Sequence, residues 1–323
     1  MIFFVTFLRA LAACLITNAH YTGIYPSDLI ANGGLIGDVI FFAVSGYCLS
    51  NIKTPFFSWY GKRLFKIYPP VIVATIVYLL CGAYVFADHN FLWWFIYPTY
   101  YHFVASILVL YIPFYFCMKY NVLKRNLVFI MLGVFLVAIM VYFFVYDSSY
   151  YHIDTVREPM IRFLFFESML LGAWFRAHDN RFRDRFRKRH FAGLVVSFSL
   201  YFGSKMMFAK IDRIAPFQIV NQLLIFLLLY FILLTASGLD SSLNGLPAWV
   251  KKAISEIANL TLEIYVVQYV LIDLIRPIGR FPLNWFVLTA SIVISAWVLK
   301  KAVATITMCI QKTTKIGVNP QRK

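Results

Sequence analysis

The stretch F7-L-R-A-L-A-A-C-L-I-T-N-A-H20 sets a guanidinium and an imidazole into an otherwise apolar run. Imidazole has the side-chain pKa closest to neutrality, so His20 suits general base catalysis or transient carriage of an acyl group. A guanidinium offers a fixed fork of donors for phosphate or for charge that develops during a reaction. Eleven helical steps close roughly three turns, which puts Arg9 and His20 on one face about 16 Å apart along the axis. An ionisable side chain inside a membrane span costs about 2.5–3.5 kcal/mol on insertion scales, so such a pair reads as a site by default. The blander readings are an Arg9 that snorkels to the headgroups and a His20 that sits wet at an interface.

Further polar residues fall in or beside apolar runs. Asp38 opens the second run, where it either orients the His20 ring or stands as an interfacial carboxylate. Glu167, Glu263 and Asp273 are carboxylates inside later runs, and His102 stands among tyrosines at the end of another. Ser45 and Gly46 are small residues of the kind that let membrane helices pack closely. Arg63 and Lys66 precede the third run. The five cysteines show no paired spacing, and no His, Cys and carboxylate grouping suggests a metal. Phosphate-loop, dinucleotide and nucleophile-elbow motifs do not occur.

The elements that must position these residues are membrane helices. The chain of 323 residues is 61% hydrophobic and 19% aromatic, with a mean hydropathy of +0.74. A soluble domain is about 45–50% apolar and has no interior large enough for this much apolar surface. The expected fold is all-α, a polytopic integral membrane protein. Ten apolar segments are expected to span, near 3–20, 35–51, 67–87, 102–118, 127–146, 159–176, 191–209, 217–237, 257–275 and 285–309. The short aromatic run F91-L-W-W-F-I-Y97 fits an interface instead. The net charge of +16 comes from Lys and Arg clustered between apolar runs, above all in R176-A-H-D-N-R-F-R-D-R-F-R-K-R189. That clustering is a topology signal and not a nucleic-acid surface, and it sets both termini in the cytoplasm. The positive charges around Lys205, Lys210 and Arg213 fit this topology least well. One domain is expected over 1–323, with a membrane core to about 311 and a basic tail over 312–323.

Three motifs in order carry a resemblance. An Arg and a His with ten residues between them are followed by F-F-A-V-S-G-Y, from Phe41 to Tyr47, and then by the basic R-L-F-K-I-Y-P, from Arg63 to Pro69. Together they resemble the membrane-bound acyltransferase-3 family. The stretch Y-H-F-V-A-S-I-L-V-L-Y-I-P, from Tyr101 to Pro113, resembles a later helix of that family more weakly. The resemblance implies transfer of an acyl group, mostly acetyl, from cytoplasmic acetyl-CoA or another acyl-CoA to a hydroxyl of a surface polysaccharide or lipid-linked sugar. It implies a bacterial cytoplasmic membrane location and no bound cofactor. His20 and Arg9 would be catalytic, Arg63 and Lys66 would hold donor phosphates, and Phe41, Phe42, Ser45 and Gly46 would pack helices. Two positions depart from the family pattern: Lys66 stands where an Arg is usual, and Gln268 where a later His falls. The alternative from another class is a multi-span transporter or flippase for a glycan or lipid-linked sugar.

Overall fold

The computed structural model describes residues 2–97, 101–155, 159–277 and 279–316, with side chains through Cys309. All regular structure among them is helical: α1 Phe3–Ala19, α2 Gly34–Leu49, α3 Phe56–Leu80, α4 His102–Lys119, α5 Asn121–Arg125, α6 Leu127–Phe144 and α7 Ile161–Ala177 come first. There follow α8 Asp179–Phe182, α9 Lys188–Lys210, α10 Ile219–Gly238, α11 Asp240–Asn244, α12 Ala248–Asn259, α13 Thr261–Ile275 and α14 Leu283–Ile316. Each expected apolar segment is a helix. Six helices among the described residues are long and apolar enough to cross a membrane, and seven if the pair α12–α13, bent by 71° at Leu260, counts as one. The structure therefore gives six or seven spans by length and composition, where ten were expected. The difference lies in α1, α2 and α7, which have 17, 16 and 17 residues. At 1.5 Å per residue they reach roughly 25 Å, short of a hydrocarbon core about 30 Å thick.

Several boundaries move. The third helix begins at Phe56 and not near 67, so Arg63 and Lys66 ride on its first three turns instead of in a loop. Lys205 and Lys210 belong to α9. Lys251 and Lys252 lie on the amphipathic helix α12. Helix α14 runs on to Ile316, into the segment expected as a tail, and residues 317–323 of that tail lie outside the described residues. The run at 91–97 forms one π-helical turn over Leu92–Ile96.

The core is one apolar cluster built where the short helices meet, with Leu8 and Ala12 of α1, Val39 and Phe42 of α2, and Leu164 and Met169 of α7 all buried. Helices α2 and α7 touch backbone to backbone. A Cβ on Gly46 would overlap the Met169 carbonyl, and a Cβ on Gly172 would overlap that of Ala43. Without bilayer water to drive association, such glycine contacts let dispersion hold two membrane helices together. The first turn of α1 has free N–H groups, and the buried Asp240 answers them: Phe4 N–H donates to its Oδ1 at 2.7 Å. At that same end Tyr47 Oη donates to Asp179 at 2.7 Å, and Arg176 Nη1 donates to Tyr47 Oη at 3.2 Å. These contacts fix the ends of α1, α2 and α7 relative to one another.

Candidate active site

One face of α1 lines three successive spaces. Arg9 borders a cavity of about 330 Å3 that also takes in Ser45 of α2, Arg63 and Lys66 of α3, Glu263 of α13 and Lys300 of α14. Four cations face one carboxylate there, a balance that favours a polyanionic guest. Arg63 stands with its guanidinium 5.2 Å from the Trp59 ring, and its Nε is buried with no hydrogen-bond partner among the described residues. Lys300 Nζ donates to the Asn259 carbonyl at 2.8 Å. The bend between α12 and α13 carries Asn259, Thr261 and Glu263 onto the cavity wall.

At the other end His20 borders a cavity of about 860 Å3, with Asp38, Asp88, Trp93, Asp154, Lys205 and Tyr269 among its walls. His20 caps the C-terminus of α1, its N–H donating to the Thr17 carbonyl at 3.1 Å. The ring meets the edge of Tyr269 with centroids 4.8 Å apart, and Nε2 lies 3.3 Å from the Tyr269 hydroxyl, the donor being set by the imidazole tautomer. Asp38 is buried in the same wall, yet the partner of the His20 ring is Tyr269 and not Asp38. The turn beyond His20 is tied down by Asn18, whose Nδ2 donates to the carbonyls of Ile30 and Asn32 at 2.8 and 3.0 Å. Tyr25 Oη donates back to Asn18 Oδ1 at 2.6 Å, and Trp285 Nε1 donates to Tyr25 Oη at 2.9 Å. His20 is thereby held by α1, α13 and α14 together.

Lys205 finds its reason here. Its ammonium lies 3.7 Å from Asp154 Oδ2, which also accepts from Tyr151 Oη and, at 3.2 Å, from Tyr201 Oη. Burial and the adjacent Asp154 carboxylate hold the Tyr151 phenol far above its ordinary range, so it remains a donor. One of the three charges that fit the topology least well, Lys205, is thus a wall residue of the large cavity.

Between the two cavities lies a neck of about 20 Å3 lined by Ala13, Thr17, Phe41, Phe103 and Tyr265 among others. Phe103 borders all three spaces. Its ring stands 4.7 Å from Phe41 and 5.3 Å from Tyr265 by centroids, and its N–H donates to Tyr265 Oη at 3.3 Å.

The structure thus brings Arg9, Ser45, Arg63, Lys66 and Glu263 into one cavity and places His20 and Asp38 in the other. Phe41 belongs to the neck, and Phe42 packs behind it, stacked on Phe165 at 4.3 Å. Gly46 makes the α2–α7 contact. Glu167 and Gln268 line neither cavity; both are buried, with Glu167 Oε1 and both Gln268 amide atoms lacking partners among the described residues. Asp273 is paired with Arg276 at 3.4 Å away from the site. Sequence reasoning missed Tyr269, Phe103 and Lys300. Nothing in the chain links Lys300 to Arg9, since only the packing of α14 against α3 and α13 makes them neighbours. No group of three or more metal-ligating residues occurs among the described residues.

No curated protein and no solved structure matches the sequence. A family described as an acyltransferase domain matches residues 2–301, which takes in every wall of both cavities. On that match the chain belongs to the membrane acyltransferase-3 family.

Proposed function

We propose that this membrane acyltransferase moves an acetyl group from cytoplasmic acetyl-CoA to a hydroxyl of an extracytoplasmic glycan, free or lipid-linked, in a bacterial cytoplasmic membrane. The observation that carries the reading is the single face of α1, which runs from the four-cation cavity at Arg9 through the neck to His20. In this reading the 3′-phosphate and pyrophosphate of the donor sit among Arg9, Arg63, Lys66 and Lys300. The pantetheine arm spans on the order of 15–20 Å, comparable to the helical rise from Arg9 to His20, so the thioester reaches the neck while the nucleotide stays at the cations. The acceptor enters the large cavity, where carboxylates and the Trp93 and Tyr269 rings offer hydrogen-bond acceptors and apolar faces to a sugar. His20 takes the proton of the attacking hydroxyl, with Tyr269 fixing its ring. Asp38 then contributes to the cavity wall and field.

Ten crossings with both termini cytoplasmic accompany this reading. The short helices α1, α2 and α7 complete the count, the two cavities lying against α1 and α2. The single domain covers 1–323, with no resident cofactor.

The test is turnover of radiolabelled acetyl-CoA by purified protein in nanodiscs with extracted surface glycan. His20→Ala should lower transfer by at least 10²–10⁴-fold, the usual worth of a general base, with donor affinity retained. Near-normal turnover in His20→Ala would remove His20 from the chemistry.

A further inference from the structure

Beside the Tyr265 phenol, which accepts from Phe103 N–H, the neck is lined by two threonines, and their hydroxyls differ. Thr261 Oγ1 donates to the Ala258 carbonyl at 2.8 Å. Thr17 Oγ1 is buried and has no hydrogen-bond partner among the described residues. Thr235 Oγ1 of α10 is in the same state, but Thr235 lines none of the three spaces. Thr75, Ser168 and Ser197 each donate to the carbonyl four residues earlier, all at 2.7 Å. Buried polar groups are nearly always satisfied, so an exception of this kind asks for a reason. Thr17 lies one turn before His20 on α1 and lines the small space between the Arg9 and His20 cavities, as well as an apolar pocket toward α14. The space beside it, about 20 Å3, is close to the least that holds one water-sized oxygen. Its other walls are almost wholly apolar: Ala13, Ile16, Phe41, Phe103 and Tyr265.

We infer that Thr17 is a catalytic residue, the hydroxyl that donates to the thioester carbonyl oxygen as it becomes an oxyanion. The inference rests on the acyl-CoA reading above. In the step, an oxygen lone pair of the acceptor hydroxyl bonds to the carbonyl carbon, and the C=O π pair moves to oxygen, which Thr17 Oγ1–H stabilises. The C=O re-forms, the C–S bond breaks and its pair leaves with sulfur. His20 takes the hydroxyl proton and returns it to the thiolate. A donor aimed at developing charge acts most strongly in a dry, apolar site, and the Phe103 ring stands in the wall between this space and the large cavity. The bond costs nothing in reorganisation because the hydroxyl has no other acceptor to give up.

The experiment compares Thr17→Val, which keeps the shape and removes the donor, with Thr17→Ser, which restores it. Purified, monodisperse proteins are assayed for acetyl transfer from acetyl-CoA, and donor affinity is measured separately by equilibrium binding. Thr17→Val is expected to lose about 10²–10³-fold in kcat, the usual worth of one oxyanion donor, with donor affinity unchanged. Thr17→Ser is expected to stay within about tenfold of the wild type, since it keeps the hydroxyl that the oxyanion needs. A Thr17→Val protein that turns over like the wild type overturns the inference and leaves the acyltransferase reading intact. Equal losses in Thr17→Val and Thr17→Ser also overturn it, because they assign the residue a packing role. Wild-type protein with no acyl-CoA turnover removes the donor reading and the inference together.

Discussion

Arg63 gives the sharpest test of the donor cavity. Its guanidinium is braced over Trp59, its Nε is buried without a partner among the described residues, and Arg9, Lys66 and Lys300 share its cavity. A buried donor left unsatisfied gains its hydrogen bond only when an anion arrives. Hydrogen bonds to charged groups contribute about 1.5–3 kcal/mol, so Arg63→Ala should weaken acetyl-CoA binding by about 10–150-fold. Lys66→Ala should cost less, since an ammonium acts as a point charge and not as a fork, and Lys66→Arg should be tolerated. Arg63→Lys keeps the charge but gives up the fork and the seat on Trp59, which places it between the two. Equilibrium binding to purified protein reads these effects, and acetyl-pantetheine, which lacks the phosphates, is the control ligand. The loss should vanish with that ligand. It should also shrink in about 1 M salt, where the Debye length falls to about 3 Å. An unchanged acetyl-CoA affinity in Arg63→Ala at low salt, or an equal loss with acetyl-pantetheine, would refute the assignment and return Arg63 and Lys66 to the status of topology signals.

Two more predictions concern the scaffold. Reporter fusions after Arg189 should read cytoplasmic and those after Asp154 external; the reverse at Arg189 would invert the placement of both cavities. Gly46→Ala should destabilise the detergent-solubilised protein by about 1–3 kcal/mol in thermal unfolding, because its Cβ meets the Met169 carbonyl and α2 must part from α7. Gly61→Ala, where a Cβ meets nothing within 4 Å, should be neutral or gain up to about 1 kcal/mol of helix propensity.

The sequence by itself determined the class and pointed to the family. Its apolar share left membrane helices as the fold, and every expected apolar segment is helical, because a chain in lipid must satisfy its backbone internally. The spacing of Arg9 and His20 is a property of one helix, so their shared face followed from local geometry alone. Motif order pointed to the family, since Phe41 and Gly46 lie on one helix and Arg63 and Lys66 on the next. What the sequence left open depends on contacts between distant segments. Tyr269 beside His20, Lys300 beside Arg9, and Lys205 on Asp154 join residues up to hundreds of positions apart, and no local pattern encodes such pairs. The span count stayed open because α1, α2 and α7 are short, and whether a short helix crosses depends on the packing and water at its ends. The orphaned hydroxyl of Thr17 is the clearest case. A threonine in an apolar helix bonds its own backbone by default, and only the folded structure shows that this one is buried with no partner among the described residues, in the wall it shares with Phe41 of α2 and Tyr265 of α13.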